Sequence, residues 1–312
     1  MIDRPDTMPG VPPLPPPTGP PVTWAPPVSG PSFAPKRPPH DTLPWQAGVG
    51  AVVVLAVSLL ASKWVLEALV ELGWPIVAYV LVLAAIAYGP SLVWWWYASR
   101  RWGSGHPIRD VGARPRWSDL GWGPLVWLAA IATQIAIAAL VLATGIPLSN
   151  NTDGVDELAA DRAYVVAIVV TAVLVAPLVE EIVFRGLVLR GFLDIMAAPV
   201  AIALQGVIFG VAHVDPVRGS GNVGLALVLS GVGIAFGGFA HLLRRIGPTI
   251  VAHAIFNGVV MVLVLTGVAD RLREENDPFS TGLDRSVGEQ VAIVDQADIV
   301  EPDGGRDAHR SR

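Results

Sequence analysis

Cysteine is absent from the 312 residues. Disulfide scaffolds, thiol nucleophiles and Cys-ligated zinc or iron–sulfur centres are thereby excluded, so any chemistry must come from His, Glu, Asp, Asn, Ser or Arg. Charge is scarce as well. Asp, Glu, Lys and Arg make up 15% of the chain, against about a quarter in a soluble domain, too little to wet the surface of a globule this large. With a net charge of −5 and no concentrated basic face, nothing neutralises a phosphate backbone, and a nucleic-acid partner is excluded. Apolar residues fill the place of charge, at 53% of the total and a mean hydropathy of +0.55. These values describe an all-α, polytopic transmembrane helical bundle.

Residues 1–45 hold 16 of the 28 prolines, in runs such as Pro12-Pro13 and Pro15-Pro16-Pro17. With almost no aliphatic side chains to build a core, they read as a disordered tail leaning to polyproline II. The tail lacks the short apolar core and small-residue cleavage site of a signal peptide, so the first membrane span is expected to act as the targeting signal. About 20 apolar residues cross the hydrocarbon. Seven stretches approach that length: 46–69, 74–98, 123–145, 163–181, 200–213 (the shortest), 223–243 and 248–267. About seven membrane segments are therefore expected, within a range of six to eight. They divide into N-terminal spans with a basic loop over 46–162 and a membrane core over 163–267, followed by an acidic tail over 268–312 that is expected to be disordered.

Lys and Arg concentrate in cytoplasmic loops. The connection 99–122 carries Arg100, Arg101, Arg109, Arg114 and Arg116, whereas 146–162 carries Asp153, Asp156, Glu157 and Asp161 against one Arg. The first is read as cytoplasmic and the second as external, in a multi-pass protein of the plasma (cytoplasmic) membrane. Trp94, Trp95, Trp96, Trp102, Trp117, Trp122 and Trp127 surround the basic loop, as an interfacial aromatic belt does. They are expected to anchor the protein, not to cage a ligand.

After an uncharged run from Ala163 to Val179, two adjacent carboxylates follow, Glu180 and Glu181. Acids at this depth are costly and point to function. Glu181 and Arg185 stand at i, i+4 with Glu on the N-terminal side, the spacing of an ion pair. Glu180 projects about 100° away and lacks that partner. The spacing therefore makes Glu181 a supporting ion and Glu180 the better candidate for a base. Three of the six histidines, His213, His241 and His253, fall between Pro199 and Gly267, where the only formal charges are Asp215, Arg218, Arg244 and Arg245. Gly206 and Gly210 precede His213 as a small-xxx-small face that permits close helix approach. His253 and Asn257 share a helix face, so their donors could meet a developing oxyanion. His241, beside Arg244 and Arg245, reads as an interfacial residue.

Glu180-Glu181-x-x-x-Arg185, Phe209-x-x-x-His213 and His253-x-x-x-Asn257, in this order on successive apolar segments, resemble the three motifs of the CPBP intramembrane proteases, the CAAX-protease and bacteriocin-processing (Abi) family. The resemblance covers about 165–265. It implies a helical intramembrane endopeptidase whose polar cavity opens to the cytoplasm. By matching position, Glu180 and His213 would hold and activate the attacking water, and His253 and Asn257 would stabilise the oxyanion. Glu181 and Arg185 would support them, with Phe209 as a packing residue. It implies membrane-bound or lipidated peptides as substrates, and a glutamate-dependent mechanism with no cofactor. A zinc held by Glu180, His213 and His253 is the fallback, but no His-Glu-x-x-His is present.

Two other readings use the same residues. A transporter would employ intramembrane Glu, His and Asn as an ion path, yet no internal repeat accompanies them. A non-catalytic scaffold or immunity protein would have no need to keep every motif position filled. One problem of depth stands out: a straight segment from Val200 puts His213 about 20 Å from its start, deeper than glutamates at the end of a span. Either the stretch 186–199 also enters the membrane, or the fourth helix continues past Arg185.

Overall fold

The computed structural model describes residues 43–149, 161–214 and 221–268. The chain divides into a unit at 1–38, none of which is described, and a unit at 39–312. Both tails expected to be disordered fall outside the described residues, apart from the few that abut the first and last helices.

Hydrocarbon offers no partner for backbone N–H and C=O groups, so apolar runs close their hydrogen bonds within themselves. Every regular element among the described residues is helical: α1 (Trp45–Glu71), α2 (Ile76–Trp102), the single turn α3 (Pro107–Asp110), α4 (Ser118–Ala143), α5 (Arg162–Phe192), α6 (Ala198–Val211), α7 (Gly221–Leu243) and α8 (Gly247–Leu265). Proline punctuates several starts: Pro44 and Pro75 cap α1 and α2, and Pro199 and Pro248 sit in the first turns of α6 and α8, where a missing N–H costs nothing. Six helices are long and apolar enough to cross a membrane, and α6, at 14 residues, is shorter.

The bundle is apolar outside and polar within. Leu60, Trp64, Ile135 and Leu140 are largely exposed, whereas Asp110, Asp119, Glu181, Arg185, Arg190 and Gln205 are buried. One end gathers the basic residues. There the Trp45 N–H donates to Asp194 Oδ2, the Ile246 N–H donates to Gly112 O at 3.2 Å, and Arg245 pairs with Asp119 at 2.6 Å. At the opposite end the Ser149 N–H donates to Gly221 O at 3.1 Å.

Small residues set the closest helix contacts. A Cβ on Gly206 would stand 2.7 Å from the Ile234 amide nitrogen, and one on Gly210 would stand 2.7 Å from that of Ser230, so α6 lies backbone to backbone on α7. A Cβ on Gly191 would stand 2.8 Å from Gly48 Cα, which brings α1 equally close to the end of α5. The tryptophans of the aromatic belt do not all behave alike. Trp96, Trp117 and Trp122 are exposed. Trp94 and Trp95 instead tie α2 down: their indole N–H groups donate to Ala47 O at 2.9 Å and Pro107 O at 3.1 Å.

α5 departs from the expected fourth span. It does not stop at Glu181 but continues to Phe192, which answers the depth problem in favour of the longer helix. Glu180 lies roughly 18 Å from the basic end of α5 and His213 roughly 22 Å beyond the start of α6, at 1.5 Å per residue. The glutamates and the histidine therefore share a depth. Hydropathy misplaced the boundary because Glu180, Glu181, Arg185 and Arg190 lower the local average, while the fold pairs them inside the bundle.

Candidate active site

α5 is not a uniform α-helix. After the Asp161 side chain caps its start by accepting from the Ala163 and Tyr164 N–H groups, two π-helical stretches, Thr171–Val175 and Ile182–Val188, flank the short α-helical piece Ala176–Glu181. Such widened turns occur mostly as single insertions and favour functional sites. In the first of them the Ala176 N–H donates to Thr171 O, five residues back. The next donor in that pattern would be Pro177, which has no N–H, so Ala172 O is left open. Asn257 Nδ2 fills it from α8 at 2.7 Å.

The carboxylates on the two sides of this helix meet different partners. Glu181 is fully buried. Its Oε1 accepts from Arg185 Nη1 at 2.8 Å and stands 3.1 Å from His253 Nδ1. Arg185, also buried, donates through Nη2 to Gly233 O at 3.2 Å and lies within an aromatic box, its guanidinium carbon 4.5 Å from the Phe209 ring centroid, 5.2 Å from Phe236 and 5.9 Å from Phe184. Desolvated cation–π contacts of this kind offset part of the cost of burying the cation. Phe209 is more than a filler, since its other neighbours are the rings of His213 at 4.6 Å and His253 at 6.0 Å.

Glu180 faces the imidazoles. Its Oε2 is 3.8 Å from His213 Nε2 and 3.8 Å from His253 Nε2, and its Oε1 accepts from the Tyr88 hydroxyl at 3.1 Å. His213 Nδ1 is 2.7 Å from Phe209 O. A carbonyl can only accept, so Nδ1 carries a proton and Nε2 is the nitrogen turned to Glu180. In His253, Nδ1 meets Glu181 and Nε2 again turns to Glu180. Three segments of the chain thus bring one carboxylate oxygen and two imidazole nitrogens to a common point.

Residues 162–259 match a family model described as Rce1-like, type II CAAX prenyl endopeptidase Rce1-like. The match spans the membrane core, about a third of the chain, and makes that core similar to the CAAX proteases. Comparison with curated proteins and with solved structures returns no match. Every motif position, from Glu180 to Asn257, lies inside the matched residues.

Among the described residues no group of three or more His, Cys, Asp or Glu is arranged to hold a metal ion. Ligands 2.0 to 2.2 Å from a shared tetrahedral zinc stand about 3.4 Å apart, closer than the 3.8 Å between Glu180 Oε2 and either Nε2. His241 lines a cavity of about 40 Å³ with Arg185, Arg190 and Arg244.

Tyr88, Phe236 and the carbonyls of Gly233 and Ala172 were not among the residues singled out by sequence. Tyr88 did carry a signal: a phenol hydroxyl in the middle of an apolar span needs a hydrogen-bond partner. The two backbone acceptors carried none, because any residue has a carbonyl.

Proposed function

We propose that this protein is an intramembrane endopeptidase of the plasma membrane that hydrolyses membrane-bound or lipidated peptides with a water activated by Glu180. The observation that carries the reading is the convergence of Glu180 Oε2 on the Nε2 atoms of His213 and His253 at equal 3.8 Å distances. A gap of that size is bridged by one water better than by a direct hydrogen bond. Held there, the water attacks the scissile carbonyl carbon and Glu180 takes its proton. The new C–O bond makes a tetrahedral intermediate. The oxyanion meets His253 Nε2, protonated while Glu181 balances the ring through Nδ1, and the amide hydrogen of Asn257 not given to Ala172. As the C–N bond breaks, the Glu180 proton passes to the leaving amine, and the products are a carboxylate and an amine.

Substrate access follows from the layout of the bundle. A groove of about 650 Å³ between α4, α5 and α8 is lined by Leu120, Leu178, Ile250 and Val251, with Arg116 and Trp117 at its polar edge. It suits an apolar chain whose head remains near the basic end, which the positive-inside bias makes cytoplasmic. The test is cleavage of membrane-tethered reporter peptides by the purified protein in liposomes. Glu180→Gln keeps the shape and removes the base, so turnover should drop by about 10²- to 10⁴-fold while insertion and melting temperature hold. Wild-type turnover by Glu180→Gln would sink the mechanism.

A further inference from the structure

We infer that Tyr88, on a helix outside the CAAX-protease core, is a positioning residue of the active site: its hydroxyl anchors one oxygen of Glu180 so that the other is presented to both imidazoles. The inference rests on the hydrolytic reading of Glu180 and adds to it a residue that the matched segment, 162–259, does not contain.

A glutamate carboxylate turns freely about its last torsion, which is broad and roughly two-fold. Nothing in α5 itself chooses which oxygen faces His213 and His253. The Tyr88 O–H does so by donating to Oε1 at 3.1 Å from across the bundle, leaving Oε2 at 3.8 Å from each Nε2. Glu181 is fixed by Arg185 and His253. Among the described hydrogen bonds, Tyr88 is the one that reaches Glu180. Donation to an ionised carboxylate is charge-assisted and about twice as strong as a neutral bond, so the phenol is a firm anchor.

The chain holds Tyr88 in place by fixing the helix that carries it. Below the tyrosine, the indoles of Trp94 and Trp95 and the hydroxyl of Ser99 bond to Ala47 O, Pro107 O and Asp110 Oδ2, at 2.9, 3.1 and 2.6 Å. These bonds set both the height and the rotation of α2, and Tyr88 lies within two turns of the first of them. Its ring packs against the core that includes Phe184 and Phe209. The hydroxyl is thus aimed by rigid elements on one side of the carboxylate, and the imidazoles are aimed on the other.

Tyr88→Phe removes one hydroxyl and nothing else. In the full-length protein in liposomes, kcat for a tethered reporter should fall on the order of 10- to 100-fold, the effect of a misaimed catalytic group, with KM and melting temperature unchanged. The control is Tyr79→Phe on the same helix, whose hydroxyl donates to Leu69 O at 3.1 Å far from the site; its kcat should match wild type. A Tyr88→Phe kcat equal to that of Tyr79→Phe, or a loss confined to KM or accompanied by a lower melting temperature, overturns the inference. Glu180→Gln, run alongside, separates the two claims: normal turnover there defeats the proteolytic mechanism, whereas normal turnover in Tyr88→Phe alone defeats only the role of Tyr88. If Tyr88→Phe does not accumulate, the wild type decides. The chain has 4 tyrosines, and the infrared C–O band of one of them should shift between wild type and the isosteric Glu180→Gln; identical tyrosine bands overturn the anchor.

Discussion

At the scale of single residues the site divides two adjacent acids between two tasks. Glu181, paired with Arg185 at 2.8 Å with both side chains fully buried, holds His253; Glu180 faces the place where chemistry is proposed. Arg185→Ala strands a buried carboxylate, a loss of about 3 to 5 kcal/mol. We expect a lower yield of folded protein and a lower melting temperature in detergent, with activity lost in proportion, in contrast to Glu180→Gln, which should fold normally and fail to turn over. Full folding and full activity in Arg185→Ala would mean that the ion pair supports nothing. Metal belongs to this scale too. The separation of Glu180 Oε2 from both Nε2 atoms suits a bridging water, so cleavage should survive exhaustive chelation and the protein should carry well below one metal per chain by elemental analysis. Activity that vanishes with chelator, returns with stoichiometric zinc and loses its bound metal in His253→Ala would put zinc at the centre.

At the scale of elements, the site depends on how closely α6 rides on α7, because α6 delivers Phe209 and His213. A side chain at Gly210 meets Ala226 O and Ser230 rather than space. Gly210→Leu should therefore cost more than the 1 to 3 kcal/mol typical of overpacking and move His213 away from Glu180, read as a lower melting temperature together with lost cleavage. Equal stability and turnover in that variant would show α6 free to shift. Much at this scale was legible beforehand. Seven apolar runs became seven helices whose ends, the C-terminus of α5 apart, moved by at most five residues, and the Gly206–Gly210 spacing announced the contact that the fold makes. The end of α5 was not legible, since hydropathy treats Arg185 as a mark of water while the fold encloses it among Phe184, Phe209 and Phe236. The π-helical turns were not legible either. The first of them leaves Ala172 O open beside Pro177, and the donor that meets that carbonyl, Asn257, is 85 residues from it; no local pattern encodes such a partner. Asn257 was marked as a companion of His253 on one helix face; the fold also gives it this structural bond. Tyr88 escaped because the motifs lie within 162–259, and its partner is 92 residues distant.

At the scale of the whole molecule, helices outside the matched segment, 162–259, complete the site. α1 lies against the end of α5 at Gly48 and Gly191, α2 supplies Tyr88, and α4 packs Val126 and Ala130 with Ala252 of α8 and Phe236 of α7. The lengths of the spans differ in a way that bears on the lipid. α5, with 31 residues, is roughly 46 Å long, and α6, with 14, is roughly 21 Å, while the hydrocarbon is about 30 Å thick. One helix of the site overshoots the bilayer and its neighbour falls short. A thin membrane lets α6 reach across with little mismatch; a thick one favours an upright α5 and drags Glu180 past His213, at a fraction of a kcal/mol per Å. The enzyme should thus sense membrane thickness through the offset between two neighbouring helices. In liposomes differing only in acyl chain length, turnover should decline as the chains lengthen, and a flat profile across the series would show that the two helices move as one.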